Sequence, residues 1–403
     1  MKKIVIINHY GITPDKPGAT RHYDMAKYFS RKNEYNVEFW MCGYNHHIGK
    51  NDADLNGVKI QEEYWHDNLK LVKIKSSRYR NSNIMRQLNI MIFDLLTAFK
   101  ILFSRDIEYV ILSVPPISIF NVLVVKLKKI KLITDVEDLW PLFLQDMGLK
   151  NKLAINYMNF CADFTYNHSN GIEAVSEGMR SYVLQRLRKQ TKTSLLSPLG
   201  VDLEIYRKDK LTQIDITNKM WQKKIKIMYI GAHGKANGLT QVIDVANALS
   251  KEISEIAFIF IGDGDQKNDL IEYARSNKVS NVYFEDSIPG DLVPSYLNLA
   301  DICLTNLQKV ESFKLVRPNK LFQYMAAAKP IICGIWGESK SIIEESRAGI
   351  YVDMSNTDEA VKKIKEFISS EYTSNGLLGY DYIKKYGNRN IIFENLYNWL
   401  IEV

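Results

Sequence analysis

The stretch IMYIGAHGKANGL (227–239) runs from an apolar segment into a turn that carries three glycines. Gly231, Gly234 and Gly238 let the backbone approach a ligand closely, and the amphipathic segment TQVIDVANAL follows at once. A buried strand, a glycine turn and a helix in this order begin a βαβ unit, and a helix start binds anions through its free N–H groups. The stretch therefore predicts an α/β fold with a phosphate site, or else an ordinary strand–helix turn.

Continuous apolar runs of strand length recur along the chain, separated by segments of helix length. Such runs are typical of parallel strands that are buried on both faces of a sheet. The pattern occurs twice, on either side of the polar stretch 198–219, which we interpret as a linker. We therefore predict an α/β protein of two Rossmann-like, doubly wound parallel-sheet domains facing a cleft, residues 1–205 and 206–385, with a helix at 386–403 that can pack on either domain. The predicted strands are 4–7, 37–42, 109–114, 131–136, 171–176, 194–198, 225–231, 257–264, 281–286, 302–307, 330–335 and 349–353.

Composition and charge limit the class of protein. With 46% hydrophobic and 25% charged residues, the chain is typical of soluble globular proteins. Cys42, Cys161, Cys303 and Cys333 show no CxxC spacing, which favours reduced thiols of a cytoplasmic protein over disulfides or metal ligands. Residues 1–200 hold 28 Lys and Arg against 19 Asp and Glu, whereas the remainder holds 25 against 27. The basic half predicts an anionic partner (a lipid surface, a phosphate-bearing substrate or a nucleic acid) or is a solvated face.

The stretch RPNKLFQYM (317–325) places a cation where a helix begins. Pro318 suits the first helical position, so Lys320 falls in the first turn, where the helix dipole disfavours it by roughly 0.3–1 kcal/mol. An anion bound at the same helix end reverses that penalty. Arg317 can then pair with a phosphate, and Gln323, one turn on, with hydroxyl groups. A solvated surface helix is the alternative.

In the second half, two further loops follow predicted strands. The motif IGDG (261–264) carries Gly262 and Gly264, in a turn that lines the cleft or holds a nicotinamide cofactor. The stretch 284–297, with Pro289, Gly290 and Pro294, is predicted to be an irregular loop. It contains Ser287 and Ile288, and exposed backbone there can recognise a nucleobase edge.

In the first half, a turn-rich loop with Gly18 and Arg21 leads into a helix. Glu137 and Asp138 follow the predicted strand 131–136. We expect Asp138 to orient a hydroxyl group or take its proton, and N-capping of a helix is the alternative.

Metal and nucleophile signals are weak. Asp52-Ala-Asp54 and Asp263-Gly-Asp265 are DxD sequences, but no further carboxylate cluster accompanies either, so we expect no required metal. His46-His47 lies in a polar loop, and the histidines show no HxxxH spacing. No Ser-His-Asp or Cys-His set can be assigned.

Six motifs in this order resemble those of retaining glycosyltransferases of family 4, which have the GT-B fold of two Rossmann-like domains. The similarity covers most of the chain and is closest to the bacterial O-antigen and capsule branch that includes amino-sugar transferases. The motifs are GATR (18–21), DLWP (138–141), SEGM (176–179), G-x-x-G-x-A-x-G-L (231–239), IGDG (261–264) and P-x-K-L-x-x-YMA (318–326).

The resemblance implies that the second domain binds a nucleotide-sugar, with the nucleobase near Ser287 and Ile288. The acceptor would bind the first domain near Gly18, Arg21 and Asp138. The residues implied to hold the rest of the donor are Gly231, His233, Gly234, Lys235, Gly262, Gly264, Arg317, Lys320 and Gln323.

Two positions depart from the family pattern. Leu315 and Gln323 stand where the family often has two glutamates, and an amide in place of the second carboxylate weakens a ribose contact by on the order of 1 kcal/mol. Ala232 and Asn237 stand near the places of an Arg and a Lys, so Lys235 or Lys320 would substitute for them.

The resemblance implies transfer of a sugar, with retained configuration, from a nucleotide-diphosphate donor (a UDP-sugar is favoured) to an undecaprenyl-diphosphate-linked saccharide in bacterial surface polysaccharide synthesis. Arg317 and Lys320 would stabilise the leaving diphosphate, which takes the acceptor proton, while Asp138 orients the acceptor. No cofactor is expected. A non-catalytic glycosyltransferase-like subunit and a sugar-nucleotide epimerase of the same fold are the alternatives, and nucleic-acid binding is not expected because no aromatic-interleaved basic motif appears.

Two parts of the basic half predict attachment to a membrane. The basic stretch 70–86 precedes the apolar stretch 88–103, and 122–131 combines apolar residues with lysines. The apolar runs contain charges or are too short to span a bilayer. We expect a cytoplasmic protein held peripherally on the anionic inner face of the cell membrane, and internal helices are the alternative.

Overall fold

The computed structural model describes residues 1–16, 18–45, 50–51, 60–66, 68–79, 83–117, 119–189 and 193–403. The chain divides into two compact units, Met1–Pro198 with Asn390–Val403, and Leu199–Arg389. The division lies at residues 198 and 199, whereas the sequence predicted it at 205 and 206. The Asp52-Ala-Asp54 and His46-His47 pairs lie outside the described residues.

The first unit is built on an eight-stranded sheet in which helices connect most of the strands. The strands are β1 (Lys3–Asn8), β2 (Asn36–Cys42), β3 (Tyr44–Asn45), β4 (Lys50–Asn51), β5 (Ile60–His66), β6 (Leu69–Ile74), β7 (Ile107–Val114), β8 (Lys131–Val136), β9 (Gly171–Ala174) and β10 (Thr193–Leu196). The helices are α1 (Arg21–Ser30), α2 (Asn83–Phe103), α3 (Ile119–Leu127), α4 (Leu142–Asp146), α5 (Lys152–His168) and α6 (Glu177–Gln185). The large sheet has the order β10-β9-β8-β7-β1-β2-β6-β5, and β3 pairs with β4 separately.

One edge of this sheet departs from the prediction. The stretch 70–86 was interpreted from sequence as a basic membrane-contacting segment, but its residues 70–74 belong to β6, which lies between β2 and β5. The sequence did not predict this strand because the segment is rich in lysines. In the structure Lys70 pairs with Glu62 of β5 at 3.0 Å, and Leu71 and Val72 are buried. Strand β5 also runs antiparallel to β6, so the expectation of a purely parallel sheet is wrong at this edge.

The last helix of the chain packs on the first unit. Helix α14 (Arg389–Glu402) places Phe393, Leu396 and Leu400 in a buried cluster with Ile4 of β1 and residues of α1. Helices α2, α3 and α5 belong to crossovers that run the other way along the sheet and therefore cover its opposite face.

The second unit contains a six-stranded sheet that is parallel throughout its described strands. The strands are β11 (Ile225–Ile230), β12 (Ile256–Ile261), β13 (Val282–Glu285), β14 (Ile302–Asn306), β15 (Ile331–Gly334) and β16 (Gly349–Tyr351). The helices are α7 (Leu239–Ser250), α8 (Lys267–Ser276), α9 (Val293–Leu299), α10 (Asn319–Ala326), α11 (Glu338–Ser346), α12 (Thr357–Ile368) and α13 (Thr373–Tyr386). The order β13-β12-β11-β14-β15-β16 reverses between β11 and β14, where ligands of doubly wound sheets bind.

The predicted linker is part of this second unit. Residues Leu203–Tyr206 and Lys208–Lys210 form short 3-10 turns, and Val201 pairs in parallel with Asn388. Trp221 is buried and its Nε1–H donates to Glu285 at 3.1 Å. The stretch therefore packs on the unit that follows it. The predicted class, two α/β domains with doubly wound sheets, is confirmed.

We predict that Leu396→Ala lowers the free energy of unfolding of the first unit by about 2–5 kcal/mol, because a fully buried side chain leaves a cavity. Urea unfolding followed by tryptophan fluorescence measures the change. Ile401→Ala, in the same helix but 43% exposed, is the control and should change stability by about 0.5 kcal/mol or less. Equal effects of the two variants would contradict the packing of α14.

Candidate functional site

At the point where strand order reverses in the second unit, two loops are joined by hydrogen bonds. Asn306, at the end of β14, donates from Nδ2 to the carbonyl oxygens of Asn237 (2.9 Å) and Gly238 (3.2 Å). The Gln308 N–H donates to the Ala236 carbonyl at 2.8 Å. The glycine turn after β11 is thereby fixed against the loop after β14.

Three glycines are required where the turn after β11 meets the turn after β12. A Cβ on Gly262 would lie 2.0 Å from the Gly231 carbonyl oxygen, and one on Gly264 would lie 2.6 Å from the His233 carbonyl group. A Cβ on Gly231 would lie 2.8 Å from the Lys320 Nζ. Gly234, by contrast, has room for a side chain. Gly262 and Gly264 thus serve close packing between backbones, a role that the sequence alone did not reveal.

Lys320 projects from the first turn of α10 toward this turn. Its Nζ donates to the Tyr229 hydroxyl at 2.7 Å and to Asn237 Oδ1 at 3.3 Å, and it lies 4.1 Å from the Tyr229 ring centroid. Within the part of the chain that the structure describes, no carboxylate lies within 4 Å of this ammonium group. Burial without a counter-charge lowers the pKa of Lys320 to about 7. The helix begins at Asn319, with Pro318 at the N-cap instead of the first helical position.

His233 lies fully buried behind the same turn. Both ring nitrogens lack a hydrogen-bond partner among the described residues. Burial, with the charges of Lys267 and Lys320, lowers the pKa of His233 to about 4, so the imidazole is neutral at pH 7. A buried neutral ring with free nitrogens can accept or donate one hydrogen bond to a ligand that reaches the turn.

Arg317 is placed differently from the prediction. Its Nε donates to Glu338 Oε2 at the start of α11, and both side chains are largely buried. The charge of Arg317 is therefore compensated within the protein, which leaves Lys320 as the better anion ligand. Gln323 lies one helical turn after Lys320 and is half-buried.

The other predicted donor residues lie along the same edge of the sheet. Lys235 is exposed in a 3-10 turn (Lys235–Asn237). Ser287 is exposed and Ile288 is half-buried after β13, while Pro294, expected in an irregular loop, lies in the first turn of α9. The donor assignments of Ser287, Ile288 and Lys235 remain predictions.

In the first unit, Arg21 forms a buried ion cluster below the carboxyl ends of the strands. The side chain is 1% exposed; it donates to Asp135 Oδ2 at 2.6 Å and also to Glu173. His22 Nε2 lies 2.7 Å from the same Asp135 oxygen. Arg21 and His22 hold the pKa of Asp135 below its usual range despite burial, whereas burial and the charge of Asp135 raise the pKa of Glu173.

This cluster changes the interpretation of the predicted acceptor residues. Two buried carboxylates compensate the charge of Arg21, so this side chain supports the loop and strand ends and does not itself face an acceptor. Asp138 is exposed beyond β8, and α4 begins at Leu142 with Pro141 at its N-cap, so Asp138 does not cap that helix. Gly18 adopts a φ of 132°, which a side chain would strain.

A possible metal site coincides with this cluster. His22, Asp135 and Glu137 bring ligand atoms within 4.8 Å of one another. The guanidinium of Arg21 already occupies the Asp135 oxygen, so a cation would have to displace a buried positive charge. The expectation that no metal is required stays a prediction.

Several residues of the site were missed from sequence. Tyr229 and Asn237 position Lys320, Asn306 joins the two loops, and Lys267, at the start of α8, acts on His233. Tyr229 is a fully buried residue among the buried residues of its strand, and nothing in its local pattern marks it as facing a lysine 91 residues away. Only Lys267 had a usable signal, since it begins a helix directly after the GDG turn.

The family and the relative that this chain resembles in sequence are both glycosyltransferases. Residues 213–386 match the protein family described as Glycosyl transferases group 1. The matched range covers most of the second unit, which is therefore similar to the domain of that family. The chain is also 21% identical over 253 residues to an uncharacterised glycosyltransferase of Methanocaldococcus jannaschii, and the match spans 62% of this chain and 60% of that relative.

Solved structures share the fold over essentially the whole chain. The sucrose-phosphate synthase of Thermosynechococcus elongatus has a TM-score of 0.73 at 14% identity, and it covers 100% of both chains. The Escherichia coli trehalose-6-phosphate structure bound with UDP-2-fluoro glucose has 0.74 at 11%, covering 100% of this chain and 99% of its own. Anabaena HepE in complex with UDP and glucose has 0.73 at 12%, covering 100% of both. The predicted GT-B fold is therefore confirmed.

We predict that Arg21→Met lowers the free energy of unfolding of the first unit by about 3–5 kcal/mol, because two buried carboxylates lose their counter-charge. Urea unfolding at pH 7 measures the loss. The loss should shrink as the pH falls, since the uncompensated carboxyl groups have raised pKa values and become neutral. Arg31→Met, at an exposed position after α1, is the control. A loss no larger than that of the control would show that the cluster does not stabilise the unit.

Proposed function

We propose that the protein transfers a sugar from a UDP-sugar to an acceptor hydroxyl with retention of configuration. The observation that carries the proposal is the half-buried ammonium group of Lys320, which has no carboxylate partner among the described residues and lies over the glycine turn at the reversal of strand order. A diphosphate would supply the missing counter-charge. UDP is favoured because the structures with this fold include complexes described as holding UDP or UDP-glucose.

The proposed chemistry needs no dedicated base in the protein. As the glycosidic bond of the donor breaks, negative charge develops on the leaving diphosphate, and Lys320 stabilises that charge electrostatically. The leaving phosphate oxygen takes the proton of the acceptor hydroxyl as the new bond forms. Asp138, exposed at the carboxyl edge of the first sheet, would orient the acceptor. Arg317 contributes less than the sequence suggested, because Glu338 compensates its charge.

The acceptor we propose is a saccharide linked to undecaprenyl diphosphate, in bacterial O-antigen or capsule synthesis at the inner face of the cell membrane. Support comes from the motifs of the sequence and from the basic first half of the chain. In the described residues, no helix is long and apolar enough to cross a bilayer. Such an acceptor would therefore be met at the membrane surface, with the protein bound peripherally.

The central test measures nucleotide binding by thermal shift. We expect UDP and UDP-sugars to raise the melting temperature by an amount that grows with the logarithm of their affinity. Lys320→Met should weaken binding roughly 10- to 100-fold, since a charge-assisted hydrogen bond contributes about 1.5–3 kcal/mol. Lys251→Met, an exposed change at the end of α7, is the control. Unchanged UDP affinity in Lys320→Met would refute the assignment.

Product analysis with and without an acceptor then separates a transferase from an epimerase, and absence of turnover identifies a non-catalytic subunit.

The depressed pKa of Lys320 predicts how binding depends on pH. The ammonium form binds the diphosphate, and the free protein loses that proton as the pH rises through about 7. Affinity for UDP-glucose should therefore fall by up to about tenfold per pH unit between roughly pH 7 and 8.5. UDP-glucose is the right probe because both phosphates are esterified and lack an ionisation near pH 6. Isothermal calorimetry should show proton uptake on binding, and Lys320→Met should abolish both effects. A flat profile in the wild type would contradict the mechanism.

A further inference from the structure

Helix α2 buries polar side chains among the apolar ones of its inner face and exposes a second row of apolar side chains on its outer face. Asn89 and Thr97 are fully buried and Asp94 nearly so, whereas Ile84 is 81% and Phe103 80% exposed. The remaining exposed apolar positions follow helical spacing along one face: Met85, Leu88, Met91, Phe99 and Leu102. Helices on the surface of soluble proteins normally present polar residues to water.

The buried polar groups of α2 have structural partners. Asn89 Oδ1 lies 2.6 Å from His9 Nε2, and Asp94 accepts hydrogen bonds from the backbone and side chain of Asn121 at the start of α3. Thr97 Oγ1 accepts from Asn121 Nδ2 at 2.7 Å. These bonds fix the rotation of α2, so the apolar face is held outward and cannot turn into the core.

Two neighbouring helices extend the same surface. Helix α3 packs against both α2 and α5. Of the 23 large apolar side chains that are exposed in the described residues, 13 lie on α2, α3 and α5. Those on α3 and α5 are Phe120, Leu123, Leu127, Leu153, Tyr157 and Phe160. We call these 13 side chains the three-helix face. Contiguous apolar surface of this kind marks an interaction site.

Cations border the three-helix face. Arg105, Lys126 and Lys129 are exposed at the carboxyl ends of α2 and α3, and Lys150 and Lys152 are exposed at the start of α5. The segment 119–131 contains four lysines and no acid. A second copy of the chain related by a two-fold axis would bring these cations against one another, which disfavours self-association. An anionic surface would instead complement them.

We infer that the three-helix face seats the first unit on an anionic lipid bilayer, with apolar side chains in the headgroup and acyl boundary and lysines on the lipid phosphates. The sequence had assigned part of this contact to 70–86, of which residues 70–74 lie within the sheet, and had omitted α5. The lipid-linked acceptor that gives this contact its purpose rests on the proposed function. The contact itself depends only on the apolar and basic side chains of the three-helix face.

Co-sedimentation with vesicles tests the inference, using phosphatidylcholine vesicles with and without phosphatidylglycerol. We expect binding only to the anionic vesicles, weakened by salt. The variant Phe99→Ser/Leu127→Ser/Leu153→Ser should bind on the order of 10-fold more weakly. The matched control, Ile205→Ser/Ile271→Ser/Leu377→Ser, removes exposed apolar side chains from the second unit and should bind as the wild type does.

Charge is tested separately. Replacing Lys126, Lys129 and Lys152 by Gln should weaken binding by roughly fivefold per lysine, whereas replacing Lys223, Lys251 and Lys362, exposed in the second unit, should not. Binding that is insensitive to both sets, or equal losses in variants and controls, would overturn the inference. So would a concentration-dependent dimer, seen by analytical ultracentrifugation, that the apolar variant abolishes.

The same proteins are examined by UDP thermal shift, which also verifies that each variant is folded. A wild type that binds UDP but no vesicle refutes the membrane surface alone. A wild type that binds vesicles but no nucleotide refutes the proposed donor chemistry alone.

Discussion

Lys320 carries a positive charge into a half-buried position with no carboxylate nearby in the described part of the second unit. The position exists because a glycine follows β11: a Cβ at Gly231 would lie 2.8 Å from the ammonium nitrogen. Tyr229 and Asn237 hold the charge by neutral hydrogen bonds, which orient it without neutralising it. Burial lowers the pKa of Lys320. A bound anion would supply the counter-charge that the protein does not and would stabilise the ammonium form.

The first unit buries a cation in the opposite way. Arg21 contacts Asp135 and Glu173, and His22 shares the Asp135 carboxylate. In this cluster the carboxylates compensate the positive charge, so little of it is available to a ligand. The charge of Lys320 is not compensated in this way and stays available. Arg317 belongs with the first case because Glu338 neutralises it. Partners within the fold, more than residue type, therefore decide which basic side chains of this protein are available to a phosphate.

The surface of the first unit follows from internal hydrogen bonds. Asp94 and Asn89 bind α3 and His9 from the inner face of α2, which fixes the rotation of the helix and leaves its second apolar face outside. The sequence predicted that the apolar stretch 88–103 contacts a membrane or forms an internal helix, and the structure shows a helix with apolar side chains on both its buried and its exposed face. A lipid surface would remove that apolar area from water while its anionic headgroups meet the bordering lysines.

The sequence by itself determined the two α/β units, most of their strands, the glycine turn after β11 and the helix that begins near Lys320. These features are local, since apolar runs, glycines and prolines act through neighbouring residues. The sequence did not predict β6, because its lysines are unusual in a buried sheet. The structure accommodates one of them, Lys70, by pairing it with Glu62 of the adjacent strand. Tertiary structure alone decided that Arg21 is buried against Asp135 and Glu173, 114 and 152 residues away, and that Lys320 has no such partner. Pairing of charges depends on which distant segments the fold brings together, and no local pattern records that.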